Sequence, residues 1–260
     1  MAPTRSRRTR LWVSVRLAGL VAAGLSIPVA LFAFRLKGGY FAIGTWVIAE
    51  VVRLLVIESD SLAGGDVRSL TRNSLGAYSR DARDDITYWL ALALAVGATA
   101  IVVLVLRSRL GLGLQAVRDS EGGARGLGVD VGRTRVIVWV VAAFWTGATG
   151  AVILLNSPSA RADSAFSVLR WTALVIFIVV IGGVGSATGP IFGVLVFWFI
   201  DEQLAEADTW RFIILGTVAV VMAVLAPKGL NGLLQRWRPV QFFPVRRRLV
   251  LRSRPAEEPT

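Results

Sequence analysis

Two ionisable side chains interrupt an otherwise apolar segment and are the first candidates for chemistry. Glu50 and Arg53 are three residues apart within residues 38–57, so on a helix they can form an ion pair. Ionisable groups inside an apolar span are costly and usually face a protein interior or a wet cavity. The pair is predicted either to line or hold a gate in a polar path, or to sit at the interface where the helix meets water near Ile57.

An arginine-rich segment, residues 107–135, joins two long uncharged runs. Its sequence, RSRLGLGLQAVRDSEGGARGLGVDVGRTR, carries six arginines and three acids. Leu110, Leu114 and Val117 would share one face of a helix. Such an amphipathic helix is predicted to dock into a groove on a partner protein; the alternative is a solvated connector whose arginines only set topology. The candidate docking residues are Leu114, Val117, Arg118, Asp119, Glu121 and Arg125.

Small residues form two further groups. Gly185, Gly189 and Gly193 repeat every four residues, which favours close helix packing in lipid. Gly182 and Gly183, with Pro190 beyond them, instead indicate an unwound break that can expose backbone groups to a solute. Residues 144–150 form a second patch of small residues, which is predicted either to pack against a neighbouring helix or to contact the solute. The candidate path or gate residues are Tyr40, Thr45, Glu50, Arg53, Thr146, Thr149, Gly182, Gly183, Gly185 and Gly189.

Other chemistry has little support in the sequence. The chain contains no Cys and no His, which removes thiol nucleophiles, imidazole bases and most transition-metal sites. It has no GxxxxGK[ST] phosphate-binding motif and no nucleophile–base constellation. We therefore predict no catalytic residues, no metal and no cofactor bound by this chain. The net charge of +12 is not taken to predict nucleic-acid binding, because the arginines cluster between and beyond apolar runs.

The elements that must position these residues are membrane spans. Uncharged runs of 18 or more residues predict helices that cross a bilayer, and the fold class predicted is an all-α polytopic membrane protein with about six or seven transmembrane or half-membrane helices. The run at residues 171–200 is too long for one ordinary span and is predicted to break at residues 182–190. The apolar runs are Leu17–Phe34, 38–57, Ile86–Leu106, Val136–Leu155, Trp171–Ile200 and Phe212–Ala226.

The distribution of arginines predicts which ends of the spans face the cytoplasm. With the basic tail 235–260 inside, alternate crossings place the acidic loop 58–85 outside and residues 107–135 inside. The run Leu17–Phe34 disagrees, because it would leave the basic residues 1–10 outside. Either the chain lacks upstream spans, or Leu17–Phe34 is a partial or interfacial helix.

Five stretches of the chain resemble, in sequence and in order, the M-type permease subunit of bacterial branched-chain amino-acid ABC importers. The resemblance covers roughly residues 31–234. Members of that family usually begin with further spans carrying a Gly-His-Ala-type motif, which is absent here, and their Thr-Gly-Gly-rich outer loop is represented only by AGGD at residues 63–66. The stretches are RLKGGYFAI (35–43) with AEVVR (49–53), the segment 107–135, FWTGATG (144–150), IGGVGSATGP (181–190) and APKGL (226–230).

The resemblance implies a single transmembrane permease domain, residues 1–260, in the bacterial inner membrane. Its parts would be a basic amino-terminal tail (1–10), a cytoplasmic coupling loop (107–135) and a cytoplasmic basic tail (235–260). It implies as partners a second permease subunit, two ABC ATPase subunits that bind the ATP, and an extracytoplasmic solute-binding protein. The solute would be a branched-chain or related amino acid.

Two other classes of function stay open from the residues. A secondary transporter or channel is one, although proton-coupled transporters usually bury carboxylates at mid-membrane and the apolar runs offer only Glu50. A truncated, non-transporting assembly subunit is the other, because the early spans of the family are missing.

Overall fold

The structure is a computed structural model and describes residues 5–63, 80–156, 165–185, 188–204, 208–226, 229–230 and 232. Helices and short turns make up these residues, and no β-strand occurs among them. A π-helical turn, Leu169–Ala173, immediately precedes the helix that begins at Leu174. The nine α-helices of the described residues are α1 Arg5–Ala33, α2 Gly39–Ala63, α3 Arg80–Arg107, α4 Arg109–Asp119, α5 Glu121–Gly126, α6 Val131–Asn156, α7 Leu174–Gly182, α8 Gly189–Gln203 and α9 Asp208–Leu225.

Four helices contain stretches long and apolar enough to cross a membrane: Trp12–Ala33, Gly39–Glu58, Arg83–Arg107 and Val131–Leu155. The helices α7, α8 and α9 have only 9, 15 and 18 residues, and are mainly apolar. The prediction of an all-α polytopic membrane protein with about six or seven crossing or half-crossing helices is therefore confirmed.

The chain divides into two compact units, Met1–Ile176 and Phe177–Thr260. In the first unit, helix α6 is the element against which α1 and α3 pack. A buried cluster joins the three helices through Val15, Leu90, Ala148 and Val152. Close packing of this kind, rather than the hydrophobic effect, holds helices together in lipid.

Helix α1 runs antiparallel to α6. Phe34, just beyond the end of α1, contacts Trp139 near the start of α6 with 5.5 Å between ring centroids, whereas Val15 packs in the cluster with Val152. Helix α1 therefore packs along the length of α6, and its stretch Trp12–Ala33 is long and apolar enough to cross a membrane. Residues 5–10 belong to α1 and lie at the end of the first unit opposite residues 107–130.

Helix α3 is also antiparallel to α6. Leu90 shares the buried cluster with Val152, and further along α3 Gly97 lies against the indole ring of Trp145. Helices α3 and α6 thus form a hairpin, and residues 107–130 close it. We refer to this end of the first unit as the loop end.

The second unit contains the predicted break in the run at residues 171–200. Helix α7 ends at Gly182, and Gly183 and Gly185 adopt positive φ angles of 110° and 89° that side-chain-bearing residues rarely take. Helix α8 then starts at Gly189, with Pro190 in its first turn. Phe177 and Phe197 pack edge to face across the two helices, 6.0 Å apart. The prediction of two short helices around a glycine-rich turn agrees with this geometry.

Candidate functional site

The segment 107–135 begins with a tight reversal between α3 and α4. Ser108 is extended (φ −81°, ψ 176°) and separates the two helices. Its hydroxyl donates to the carbonyl oxygen of Val105 at 2.7 Å. A Cβ at the buried Gly111 would overlap the backbone carbonyl groups of Val105 and Leu106. Glycine at this position therefore lets α4 lie directly against the end of α3.

A second corner follows at Ser120, where α4 ends and α5 begins. The backbone N–H of Gly123 donates to the Ser120 hydroxyl at 3.1 Å, which caps the first turn of α5. Asp130 caps α6 in the same way, accepting from the N–H of Arg133 at 2.9 Å. Two side-chain caps, at Ser120 and Asp130, thus fix the starts of α5 and α6.

The predicted amphipathic helix is present as α4. Leu110, Leu114 and Val117 are half-buried, whereas Arg118 and Asp119 are exposed. The apolar face is therefore partly covered by the protein, and the polar face is open. Whether Leu114, Val117, Arg118, Asp119, Glu121 and Arg125 contact an ATPase stays a prediction.

Glu121, at the start of α5, is engaged within the chain. Arg125 donates to one carboxylate oxygen at 2.7 Å and Arg135, in α6, donates to the other at 2.9 Å. The hydrogen bond from Arg135, with the charges of Arg135, Arg125 and Lys37, holds the pKa of Glu121 below its ordinary value of 4.5. The carboxylate is thus charged at neutral pH, and the contacts are lost only as the pH falls through that lowered pKa.

The predicted pair in α2 forms. Arg53 donates two hydrogen bonds to the same carboxylate oxygen of Glu50, from Nε at 2.9 Å and from Nη2 at 2.6 Å. The Glu50 side chain is 48% exposed and that of Arg53 is 25% exposed. An exposed ion pair in a helix this apolar calls for a protein or aqueous neighbour rather than lipid.

Tyr40 and Thr45 lie in the first two turns of the same helix. Tyr40 is exposed. The Thr45 hydroxyl donates to the carbonyl oxygens of Phe41 and Ala42, each at 3.0 Å. The hydrogen-bonding capacity of the Thr45 hydroxyl as a donor is therefore satisfied within its own helix.

The patch at residues 144–150 is divided between packing and exposure. A Cβ at Gly147 would overlap Ala22, so this glycine sits against α1. Thr146 and Thr149 are exposed, and their hydroxyls donate to the carbonyl oxygens of Ala142 and Trp145 at 2.9 Å. The packing interpretation fits Gly147, and the path role of the two threonines stays a prediction.

The glycines of the break lie in the second unit. Gly182, Gly183 and Gly189 are buried, and Gly185 is exposed. A Cβ on Gly182 would overlap the carbonyl oxygen of Gly189. Close backbone packing is thus present at the break, and its contact with a solute stays a prediction. The tail 235–260 and residues 1–4 of the basic amino-terminal segment lie outside the described residues.

Sequence reasoning missed three residues at the loop end. The arginine pattern of residues 107–135 predicts only a topological role for Arg135, and no periodicity connects it with Glu121, 14 positions away. Phe34 and Trp139 pack together at the same end. The residue types alone gave no signal that these side chains meet.

Comparison with known proteins shows which family this chain is similar to. The family model described as branched-chain amino acid transport system, permease component, matches residues 2–225. The high-affinity branched-chain amino acid transport system permease protein LivM of Escherichia coli K12 is 26% identical over 243 residues, covering 84% of this chain. LivM of Salmonella typhimurium LT2 matches to the same extent. This chain spans 57% of the length of each relative. No solved structure matches it.

Proposed function

This chain belongs to the permease family of branched-chain amino acid transport systems, and we propose that it forms part of the translocation path of an ABC importer. The proposed solute is a branched-chain or related amino acid. The proposed setting is the bacterial inner membrane, where the chain pairs with a second permease subunit. An extracytoplasmic solute-binding protein delivers the solute.

The partners that supply energy are two ABC ATPase subunits. The sequence of this chain has no phosphate-binding loop motif, so ATP binds to those partners. The ATPases dock on α4 and α5. The candidate contacts are the exposed polar residues Arg118, Asp119 and Arg125, together with Leu114 and Val117. The observation that carries this proposal is the pair of short helices, α4 and α5, held at one end of the α3–α6 hairpin.

Charge supports a cytoplasmic position for the loop end. Lys37, in the turn between α1 and α2, contributes to the electrostatic field at Glu121, so this turn and the arginine-rich segment share one end of the first unit. The opposite end carries Asp84 and Asp85 of α3 together with the arginines of residues 5–10 of α1, so its charge is mixed, whereas residues 107–135 carry six arginines against three acids. Basic residues concentrate on the cytoplasmic side of membrane proteins. The loop end is therefore the side from which ATPases have access.

In the first unit, the proposed contact with the solute path is the Glu50–Arg53 pair. In the second unit, taken by itself, the proposed solute contacts are backbone groups of the turn at residues 183–185. Unwound backbone between short helices is a common solute or ion contact in transporters. The pair would hold a gate by opening and reforming as α2 moves.

Reconstitution tests this proposal. The chain is co-expressed with candidate permease, ATPase and solute-binding subunits from the same genome, purified through a tag on this chain, and placed in proteoliposomes. We expect the ATPases to co-purify and labelled leucine, isoleucine or valine to enter only with internal ATP. A complex with a hydrolysis-deficient ATPase is the control. Uptake driven by an ion gradient without nucleotide would contradict the proposal and favour a secondary transporter.

A further inference from the structure

Two side chains on one face of α6 connect elements that are distant in sequence. Arg135 and Trp139 are four residues apart, which places them one above the other on the helix. Arg135 donates to Glu121 of α5 at 2.9 Å. Trp139 contacts Phe41 in the first turn of α2 with 6.4 Å between ring centroids. The first turns of α6 thus touch both α5 and α2.

The contact with α2 is part of an aromatic cluster formed by Phe34, Phe41 and Trp139. Phe34 and Phe41 stack with 6.0 Å between ring centroids and an interplanar angle of 3°. Trp139 packs its ring at 80° to Phe34 and at 77° to Phe41, which is the edge-to-face geometry that aromatic pairs favour. The cluster fixes the turn between α1 and α2 to α6.

Beyond this cluster, α2 is largely exposed. No residue of the stretch Gly39–Glu58 is buried. Glu50 lies nine residues after Phe41, or about 13 Å along a helix at 1.5 Å per residue. A small tilt at the first turn of α2 would therefore displace the Glu50–Arg53 pair by a larger distance.

We infer that Arg135 and Trp139 are positioning residues that make α2 follow the helices α4 and α5 when a partner moves them. The inference rests on the proposed function, in which that partner is an ATPase. Glu121 then acts as an internal anchor: both of its oxygens are occupied by arginines of the same chain. Movement of α5 passes through Glu121 and Arg135 to α6, and through Trp139 to Phe41 and α2.

Four variants of the assembled importer test the inference. Arg135→Gln removes the Glu121 contact, and Trp139→Ala removes the aromatic contact with α2. Arg133→Gln is the matched control for charge, because Arg133 is exposed in the same helix and has no ion pair with Glu121. Trp139→Phe is the matched control for shape, because it keeps an aromatic ring.

Stimulation of ATP hydrolysis by the solute-loaded binding protein is the readout, measured beside basal hydrolysis and ATPase co-purification. We expect Arg135→Gln and Trp139→Ala to reduce stimulation about tenfold, within the usual range of coupling between sites, with co-purification and basal hydrolysis retained. Arg133→Gln and Trp139→Phe should keep the stimulation. Full stimulation in both test variants would overturn the inference.

Distances between spin labels provide a second test that does not depend on turnover. The chain lacks cysteine, so with cysteine-free partner subunits the labels go only to the introduced pair Gly122→Cys and Leu55→Cys, both at exposed positions. ATP should change the distance between them in the unaltered background and not with Trp139→Ala. Should that variant fail to fold, Phe41→Leu removes the same contact from the α2 side. An unchanged ATP response in the folded variant would overturn the inference, whereas failure of the unaltered chain to bind any ATPase would overturn the proposed function instead.

Discussion

Leu114→Pro is expected to abolish both amino-acid uptake and ATPase co-purification while the protein still inserts into the membrane. Leu114 lies in the interior of α4, where its N–H continues the helical hydrogen bonding. Proline removes that donor and clashes with the preceding turn, at a cost of about 3 kcal/mol or more. The break falls in the helix proposed to dock, outside the four long spans, so insertion should be preserved. The measurements are tagged pull-down of the ATPases and uptake of labelled leucine.

Arg109→Pro is the matched control for this variant. Arg109 is the first residue of α4, and the N–H of a first helical residue has no partner within the helix. The preceding Ser108 is already extended, which is the conformation that a following proline favours. This variant should therefore keep α4 and bind the ATPases. Normal co-purification with Leu114→Pro would contradict the docking role of α4.

Gly193→Val is expected to destabilise the second unit strongly and to lower the amount of folded protein. A Cβ at Gly193 in α8 would overlap the carbonyl oxygen of Ile178 in α7. Overpacking costs about 1–3 kcal/mol even where side chains can adjust, and here the obstacle is backbone. The two short helices would have to separate. Size-exclusion chromatography and thermal unfolding in detergent measure the loss.

Gly216→Val is the control for Gly193→Val. Gly216 lies within α9 of the same unit. Among the residues that the structure describes, no heavy atom outside its own helix backbone and chain neighbours lies within 4 Å of the position its Cβ would take. The same substitution should therefore leave the unfolding temperature nearly unchanged. Equal stability of Gly193→Val and the unaltered protein would show that α7 and α8 do not pack as closely as described.

The positions of the spans could be predicted from the sequence. Because a charged side chain is costly in lipid, charged residues indicate where a span must end. The uncharged runs Ile86–Leu106 and Val136–Leu155 lie within α3 and α6. The helices nevertheless extend further, with α3 starting at Arg80 and α6 at Val131. Helical hydrogen bonding continues into polar flanks, and for α6 the boundary is set by the Asp130 cap, which apolarity does not report.

The glycine-rich break was also predictable, because its signal is local. Gly183 and Gly185 take backbone angles that favour glycine. The Glu50–Arg53 pair depends on helical spacing alone and forms as expected.

Contacts that depend on packing between distant helices could not be predicted. The Glu121–Arg135 contact spans 14 residues, and the Phe34–Trp139 contact brings together helices more than 100 positions apart in the printed sequence. The direction of α1 relative to α6 also depends on packing between distant helices and could not be predicted from the sequence. The arginine pattern left two interpretations for Leu17–Phe34, and the antiparallel packing of Val15 and Phe34 along α6 favours a crossing helix.

The sidedness of residues 107–130 tests the central claim most directly. Gly122→Cys introduces a single thiol at an exposed position of α5 with open space around it, and Asp84→Cys introduces one near the opposite end of α3. Each is exposed to a membrane-impermeant maleimide in intact cells and in inside-out vesicles. If the loop end faces the cytoplasm, Gly122→Cys reacts only in vesicles and Asp84→Cys only in cells. Labelling of Gly122→Cys in intact cells would contradict an ATPase docking site at α4 and α5.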